Sequence, residues 1–149
     1  MKKVLLVLVL GLGFVACSEN EVEGTTILQE LRAEISWKEQ IRGEDSFISF
    51  DYNNSEYTQG YSSNNGECYA IFNGTNYGYI ITVIVDSESR YEISINDSGS
   101  IFNRVFYKDK NGIMIHEVVY YDSEGQRSYL KNIYPSTIDL SKVQSCIVD

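Results

Sequence analysis

With 149 residues, 12 basic against 21 acidic side chains and a formal charge of −9, the chain is long enough for one domain with its own core and too short for two comfortable ones. The negative balance makes nucleic acid and anionic lipid headgroups poor partners, because their charge repels such a surface. Solubility accounts for the acidity without any acid-specific function.

Met1, Lys2 and Lys3 precede an uncharged run from Val4 to Ala16, the basic, apolar, small-residue order of an export leader. As a helix the run covers about 20 Å, short of the roughly 30 Å of bilayer hydrocarbon. It therefore reads as a leader, with a short permanent anchor as the lesser alternative. Phe14, Val15, Ala16 and Cys17 resemble the lipobox of bacterial lipoproteins, with Phe14 departing from the usual aliphatic residue. The resemblance implies cleavage between Ala16 and Cys17, acylation of the Cys17 thiol and of the new amino terminus, and attachment through at least two chains, where a single chain binds only marginally. An ordinary leader followed by a chance cysteine is the plainer alternative.

Ser18 to Gly24, "SENEVEG", is acidic and poor in apolar residues, a tether reaching at most about 25 Å. In position it resembles the acidic export tag of surface lipoproteins in Bacteroidota-type bacteria. That likeness, with Ser18 in place of the aspartate that favours inner-membrane retention in enterobacterial lipoproteins, implies attachment to the outer membrane, facing either the periplasm or the exterior. The expected division is a leader at 1–16, a lipidated cysteine and tether at 17–24, and one β-rich domain at 25–149. With Cys17 lipidated, Cys68 and Cys146 remain, 78 residues apart. A disulfide between them would stabilise by at most roughly 4.5 kcal/mol through loop closure, and two free buried thiols are the alternative. No CxxC or Cys/His cluster suggests a metal, and no cofactor is implied.

Residues 25–40, "TTILQELRAEISWKEQ", carry two periods. Ile27, Leu28, Leu31 and Ile35 share a helical face behind a Thr26/Gln29 capping box, while Leu31, Ala33, Ile35 and Trp37 also alternate as in a strand. We expect a helix starting near Thr25. From Ser46 onward short strands alternate with turn clusters. "SFISFDY" sets Ile48, Phe50 and Tyr52 on one face, and "ECYAIF" runs into Asn73-Gly74, a hairpin signal. "YGYIITVIVD" is apolar on both faces from Ile80 to Val85, which predicts a central strand covered on both sides.

Turn clusters then open at Asp86, Asp97, Asp109 and Asp122, with β-branched and aromatic runs between them. The pattern predicts a mainly β fold: an antiparallel meander of about seven or eight strands, as a curved sheet or an up-and-down barrel, with a short N-terminal helix. The "FYKDKNG" and "YYDSEG" segments faintly resemble tyrosine-aspartate hairpin repeats of bacterial surface proteins, although ordinary hairpin chemistry explains them. Pro135 is expected to close the meander, and residues 136–148 to add a helical turn and a last strand ending near Cys146.

No catalytic residue is assigned. His116, the one histidine, shares a strand face with Met114, Val118 and Tyr120 and reads as a packed or partly exposed side chain rather than a base. No serine sits in a G-x-S-x-G elbow. Asp51, Glu56 and Glu67 flank a loop, but among 21 acids such a grouping says little about glycoside cleavage. The fragments at Asp51 and Asp109 lack calcium-loop spacing and read as turns. Tyr52, Tyr57, Tyr61, Tyr69, Tyr77 and Tyr79 lie among Asn, Ser and Gly, a mixture that suits recognition surfaces, though tyrosine is also simply a good strand residue. We therefore expect a lipid-anchored, non-catalytic envelope module that binds a protein, glycan or small ligand. A small hydrolase using clustered acids or His116 and a structural accessory subunit of an envelope complex are the competing readings.

Overall fold

The structure, a computed structural model, describes residues 24–40, 45–50, 57–62, 68–73 and 79–146. The leader, Cys17 and the tether up to residue 23 lie outside them, as do Tyr52, Tyr77, Asp51, Glu56 and Glu67. Helix α1 (Ile27–Ala33) follows the capping box: Thr26 N donates to Gln29 Oε1 at 2.9 Å, and Gln29 N donates to Thr26 Oγ1 at 3.3 Å. So short a helix is marginal by itself; Ile27, Leu28 and Leu31, all buried, hold it to the rest. The two periods read from this stretch are used in succession. The helix ends at Ala33 and strand β1 (Ser36–Gln40) begins, with the Trp37 indole donating to the Leu31 carbonyl at 2.9 Å. That bond satisfies one of the carbonyls a helix end leaves open.

Eight more strands follow: β2 (Asp45–Phe50), β3 (Tyr57–Ser62), β4 (Tyr69–Asn73), β5 (Ile80–Asp86), β6 (Tyr91–Asp97), β7 (Ser100–Lys108), β8 (Met114–Asp122) and β9 (Gly125–Ser136). They form one antiparallel sheet in the order β4-β3-β2-β1-β9-β8-β7-β6-β5. The mainly β, antiparallel architecture with a short N-terminal helix is thus as expected. The chain runs outward through β1 to β4, crosses to the far edge, and returns through β5 to β9, whose last residues pair with β1. The four acidic turn clusters join β5 to β9 in sequence. The Asn73-Gly74 signal does not make β4 and β5 a hairpin, because they sit at opposite ends of the sheet.

The sheet is curled rather than flat. Phe50 on β2 and Phe106 on β7 are separated by β1, β9 and β8, about 19 Å across a flat sheet at roughly 4.8 Å per strand. Yet their ring centroids are 5.1 Å apart, edge to face, and Tyr91 on β6 lies 6.4 Å from Phe50. The inner face therefore wraps on itself as an open half-barrel, with α1 at one end of the hollow. Alternation sets Tyr91, Ile93 and Ile95 of β6 inward, and Trp37, Ile48, Phe50, Phe106, Met114 and Ile133 join them and the helix in one core.

Three sequence expectations need correction. β5 is not central: it ends the sheet, paired among the described residues with β6 alone, and exposes Ile80, Val83 and Ile84. A run apolar on both faces reports what a strand prefers to touch, not where topology puts it. Pro135 does not end the meander but lies within β9 opposite Trp37; β8 stops short of it, so its missing N–H costs no rung on that side. Residues 137–146 form turns and a single parallel bridge, Ser145 to Tyr69, not a helical turn and strand. There Tyr69 N donates to Gln144 O and Cys146 N to Tyr69 O, each at 2.8 Å. A disulfide joins Cys68 to Cys146 with Cα atoms 5.1 Å apart, and the edge at β4 is clamped.

Candidate functional site

The hollow has two poles. At one, α1 covers the core: Ile27 N donates to Ser87 O in the β5–β6 turn at 2.9 Å, and Lys108 at the end of β7 pairs with Glu30 at 2.5 Å. The chain enters the domain at this pole. The other pole is built by the β6–β7 and β8–β9 hairpins and is open. The first hairpin turns through Ser98 and Gly99, at φ 50° and 98°, the pair of positive angles that a tight two-residue hairpin loop requires. Asn96 Oδ1 accepts from Gly99 N at 3.0 Å and fixes the turn.

Between these hairpins lies an open cleft of about 1030 Å³. Its aromatic lining is Tyr79, Phe102, Tyr120, Tyr121 and Tyr129, and Asp97, Asp122, Arg127 and Lys131 supply charge. The aromatics come together through register: Phe102 is opposite Tyr120, and Val118 opposite Tyr129. Phe102 and Tyr120 stack at 5.5 Å, and Tyr129 meets Tyr120 edge-on at 5.9 Å. Tyr120, Tyr121 and Tyr129 nevertheless stay more than two-fifths exposed. Rings that touch one another while keeping a face to solvent form a platform on which an apolar or ring-shaped surface can lie. Arg127 is oriented by Asp122, to which Nε donates at 2.9 Å.

Lys131 links the cleft to a buried polar cluster. Its ammonium donates to Glu39 Oε2 at 3.1 Å, and that oxygen also accepts from Ser46 Oγ at 2.9 Å. Glu39 Oε1 accepts from His116 Nδ1, and the imidazole lies flat on Phe106 with centroids 4.6 Å apart. Both Glu39 and His116 are fully buried. Burial penalises the Glu39 charge, but the hydrogen bond from His116, the charges of His116 and Lys131, and the Ser46 hydroxyl outweigh it and bring its pKa down to about 2. Burial likewise lowers His116, to about 4, against the pull of Glu39 and with help from the charges of Arg104 and Lys131. At neutral pH the imidazole is therefore uncharged, and its hydrogen bond, the Lys131 charge and the Ser46 hydroxyl hold Glu39 ionised. His116 Nε2 is buried with no hydrogen-bond partner among the described residues.

Of the six tyrosines singled out in the sequence, the side chains of Tyr69 and Tyr79 are described, and of these two Tyr79 lines the cleft. Tyr69 packs edge-on against Phe47 at 5.9 Å beside the disulfide. Tyr57 and Tyr61 belong to β3, with their side chains outside the description, as Tyr52 and Tyr77 are altogether. Tyr121, Tyr129, Lys131 and Glu39 were missed. The signal was present: Trp37 and Glu39 share one phase of β1, and Arg127, Tyr129, Lys131 and Ile133 one phase of β9. Asp109 is a turn residue, its Oδ1 accepting from the backbone N–H of Asn111 and of Ile113 at 2.8 Å each. Among the described residues no group of three or more His, Cys, Asp or Glu is placed to hold a metal ion, and no helix is long and apolar enough to cross a membrane. Comparison with protein-family models, curated proteins and solved structures gives no match.

Proposed function

We propose that the chain is a lipid-anchored protein of a bacterial outer membrane that binds a ligand in the aromatic cleft without chemical conversion. The observation that carries this reading is the opposition of the two poles. The described chain starts at Gly24, and the helix that follows it sits beside the β5–β6 turn and the β7–β8 end, while the cleft opens at the hairpins of the other pole. Strand β7 alone, at about 3.3 Å per residue, separates the two ends by roughly 30 Å. An anchor at Cys17 leaves the cleft unobstructed. Exposed tyrosines flanked by two acids and two bases suit a ligand with both apolar faces and polar edges, as a glycan or a peptide segment has. Glu39 and His116 are buried and are not part of the cleft lining, which supports binding over hydrolysis at the cleft.

The test has two arms. Tyr120→Ala and Tyr129→Ala in the full chain each weaken binding to envelope glycans or peptides by roughly tenfold, about 1.4 kcal/mol, measured by calorimetric titration. Equal affinity in all three proteins would remove the cleft from the reading. Metabolic labelling with a radioactive fatty acid marks the wild type and not Cys17→Ser; label in both, or in neither, removes the anchor.

A further inference from the structure

Both bases that line the cleft are engaged. Arg127 donates to Asp122 through Nε at 2.9 Å and lies 3.4 Å from Glu124, and the Lys131 ammonium donates to Glu39 at 3.1 Å. Asp97 differs: among the described residues no base and no hydrogen-bond donor reaches its carboxylate. It follows Ile95 by two residues on β6, so the two share the inner face. Phe102 stands opposite Ile95 and stacks on Tyr120, and the unpaired acid therefore borders the aromatic wall. Arg104, opposite Val118 on β7, adds a third base to the region. The carboxylates Asp97, Asp122, Glu124 and Glu39 still outnumber the bases.

We propose that the occupant of the cleft is a basic peptide segment, with an arginine stem lying across Phe102 and Tyr120 and its guanidinium paired to Asp97. The inference rests on the cleft being the ligand site and names the chemistry that site selects. An anionic ligand finds no uncommitted base in the lining. A neutral one strips water from Asp97 without cancelling its charge, which is costly for a carboxylate. A guanidinium meets both conditions, because its planar fork matches a carboxylate through two N–H groups and its face lies well on aromatic rings. At about 1030 Å³ the cleft stands at the upper end of the roughly 300–1,000 Å³ that takes a drug-sized ligand, so a segment of several residues fits it better than a small free cation. The overall charge of −9 draws such a segment in from a distance.

The full chain in non-ionic detergent is titrated by calorimetry with an end-blocked peptide alternating arginine and glycine, and with its citrulline counterpart, which keeps the planar head and loses the charge. The arginine peptide binds at least tenfold tighter. Asp97→Asn, isosteric at the end of β6, brings the two peptides within about twofold of each other at an unchanged thermal midpoint. Glu88→Gln, in the β5–β6 turn at the other pole, removes the same charge and leaves the tenfold ratio. Equal affinity for the two peptides, no binding of the arginine peptide, or a preference that survives Asp97→Asn would each overturn the inference. So would tighter binding of a glutamate-glycine peptide or of an N-acetylglucosamine oligomer; where that binding is lost in Tyr120→Ala, the cleft stands as the ligand site and the basic occupant alone falls. Binding of the arginine peptide unaffected by both Tyr120→Ala and Tyr129→Ala would remove the cleft and the inference together.

Discussion

Glu39, His116, Lys131 and Ser46 form a connected polar cluster inside the sheet, and its charges bear on how the protein responds to acid. His116 has a folded-state pKa below its ordinary 6.5, so the unfolded chain takes up the proton first and stability falls as pH drops from about 6.5 toward about 4. Glu39 is also lowered, from 4.5 to about 2, and its contribution, complete above 4.5, disappears as pH falls through that interval. Urea midpoints followed by Trp37 fluorescence should therefore decline in two stages below pH 6.5. His116→Gln keeps an N–H for Glu39 but does not titrate, and should flatten the upper stage and shrink the lower one, because the imidazolium charge that helps to lower Glu39 is lost. A wild-type midpoint unchanged between pH 7 and pH 4.5 would mean that His116 is not held neutral by burial.

At the scale of elements, the C-terminal segment is a clamp whose loss should be felt locally before globally. Leu140, buried, lies over Gly60 of β3, where a Cβ would come within 2.5 Å of Leu140 Cδ2, and Ser36 Oγ donates to Ile138 O at 2.6 Å. Replacing Cys68 and Cys146 together by Ala should lower stability by about 2–5 kcal/mol. Hydrogen exchange should quicken most at Tyr69 N–H and Cys146 N–H, which bond across the bridge, and least in β8, paired on both flanks. Uniform quickening across β8 would show that the clamp supports the whole sheet. This segment was hardly legible in the sequence, because a bridge of one residue has no period to read. What was legible has local causes: the Thr26/Gln29 cap, the apolar face of α1, and the acidic turns from Asp86 to Asp122. The cleft was not legible because its walls come from β7, β8 and β9, neighbours in sequence whose side chains are brought together only by the cross-strand register and the curl of the sheet. β5 was placed wrongly since periodicity counts apolar faces and says nothing of which strand stands beside them.

For the whole molecule, the two proposals constrain each other. Given an anchor on the α1 side, the length of β7 alone sets the cleft roughly 30 Å from it. That is several times the Debye length of about 8 Å at physiological salt, so anionic lipid does not compete with Asp97 for a basic segment. The body of the chain, at −9 with a pI near 4.6, attracts such a segment from a distance, while the aromatic wall and Asp97 hold it by contact. Salt should separate the two effects. Raising ionic strength from about 0.01 M to about 1 M shortens the Debye length from roughly 30 Å to roughly 3 Å, removing attraction between the bodies while leaving ring contact intact. The association rate of the arginine peptide should fall by about tenfold or more across that range, and its dissociation rate should change far less, both measured by surface plasmon resonance. A dissociation rate that rises as steeply as association falls would show that the peptide is held by the charge of the surface rather than by the cleft.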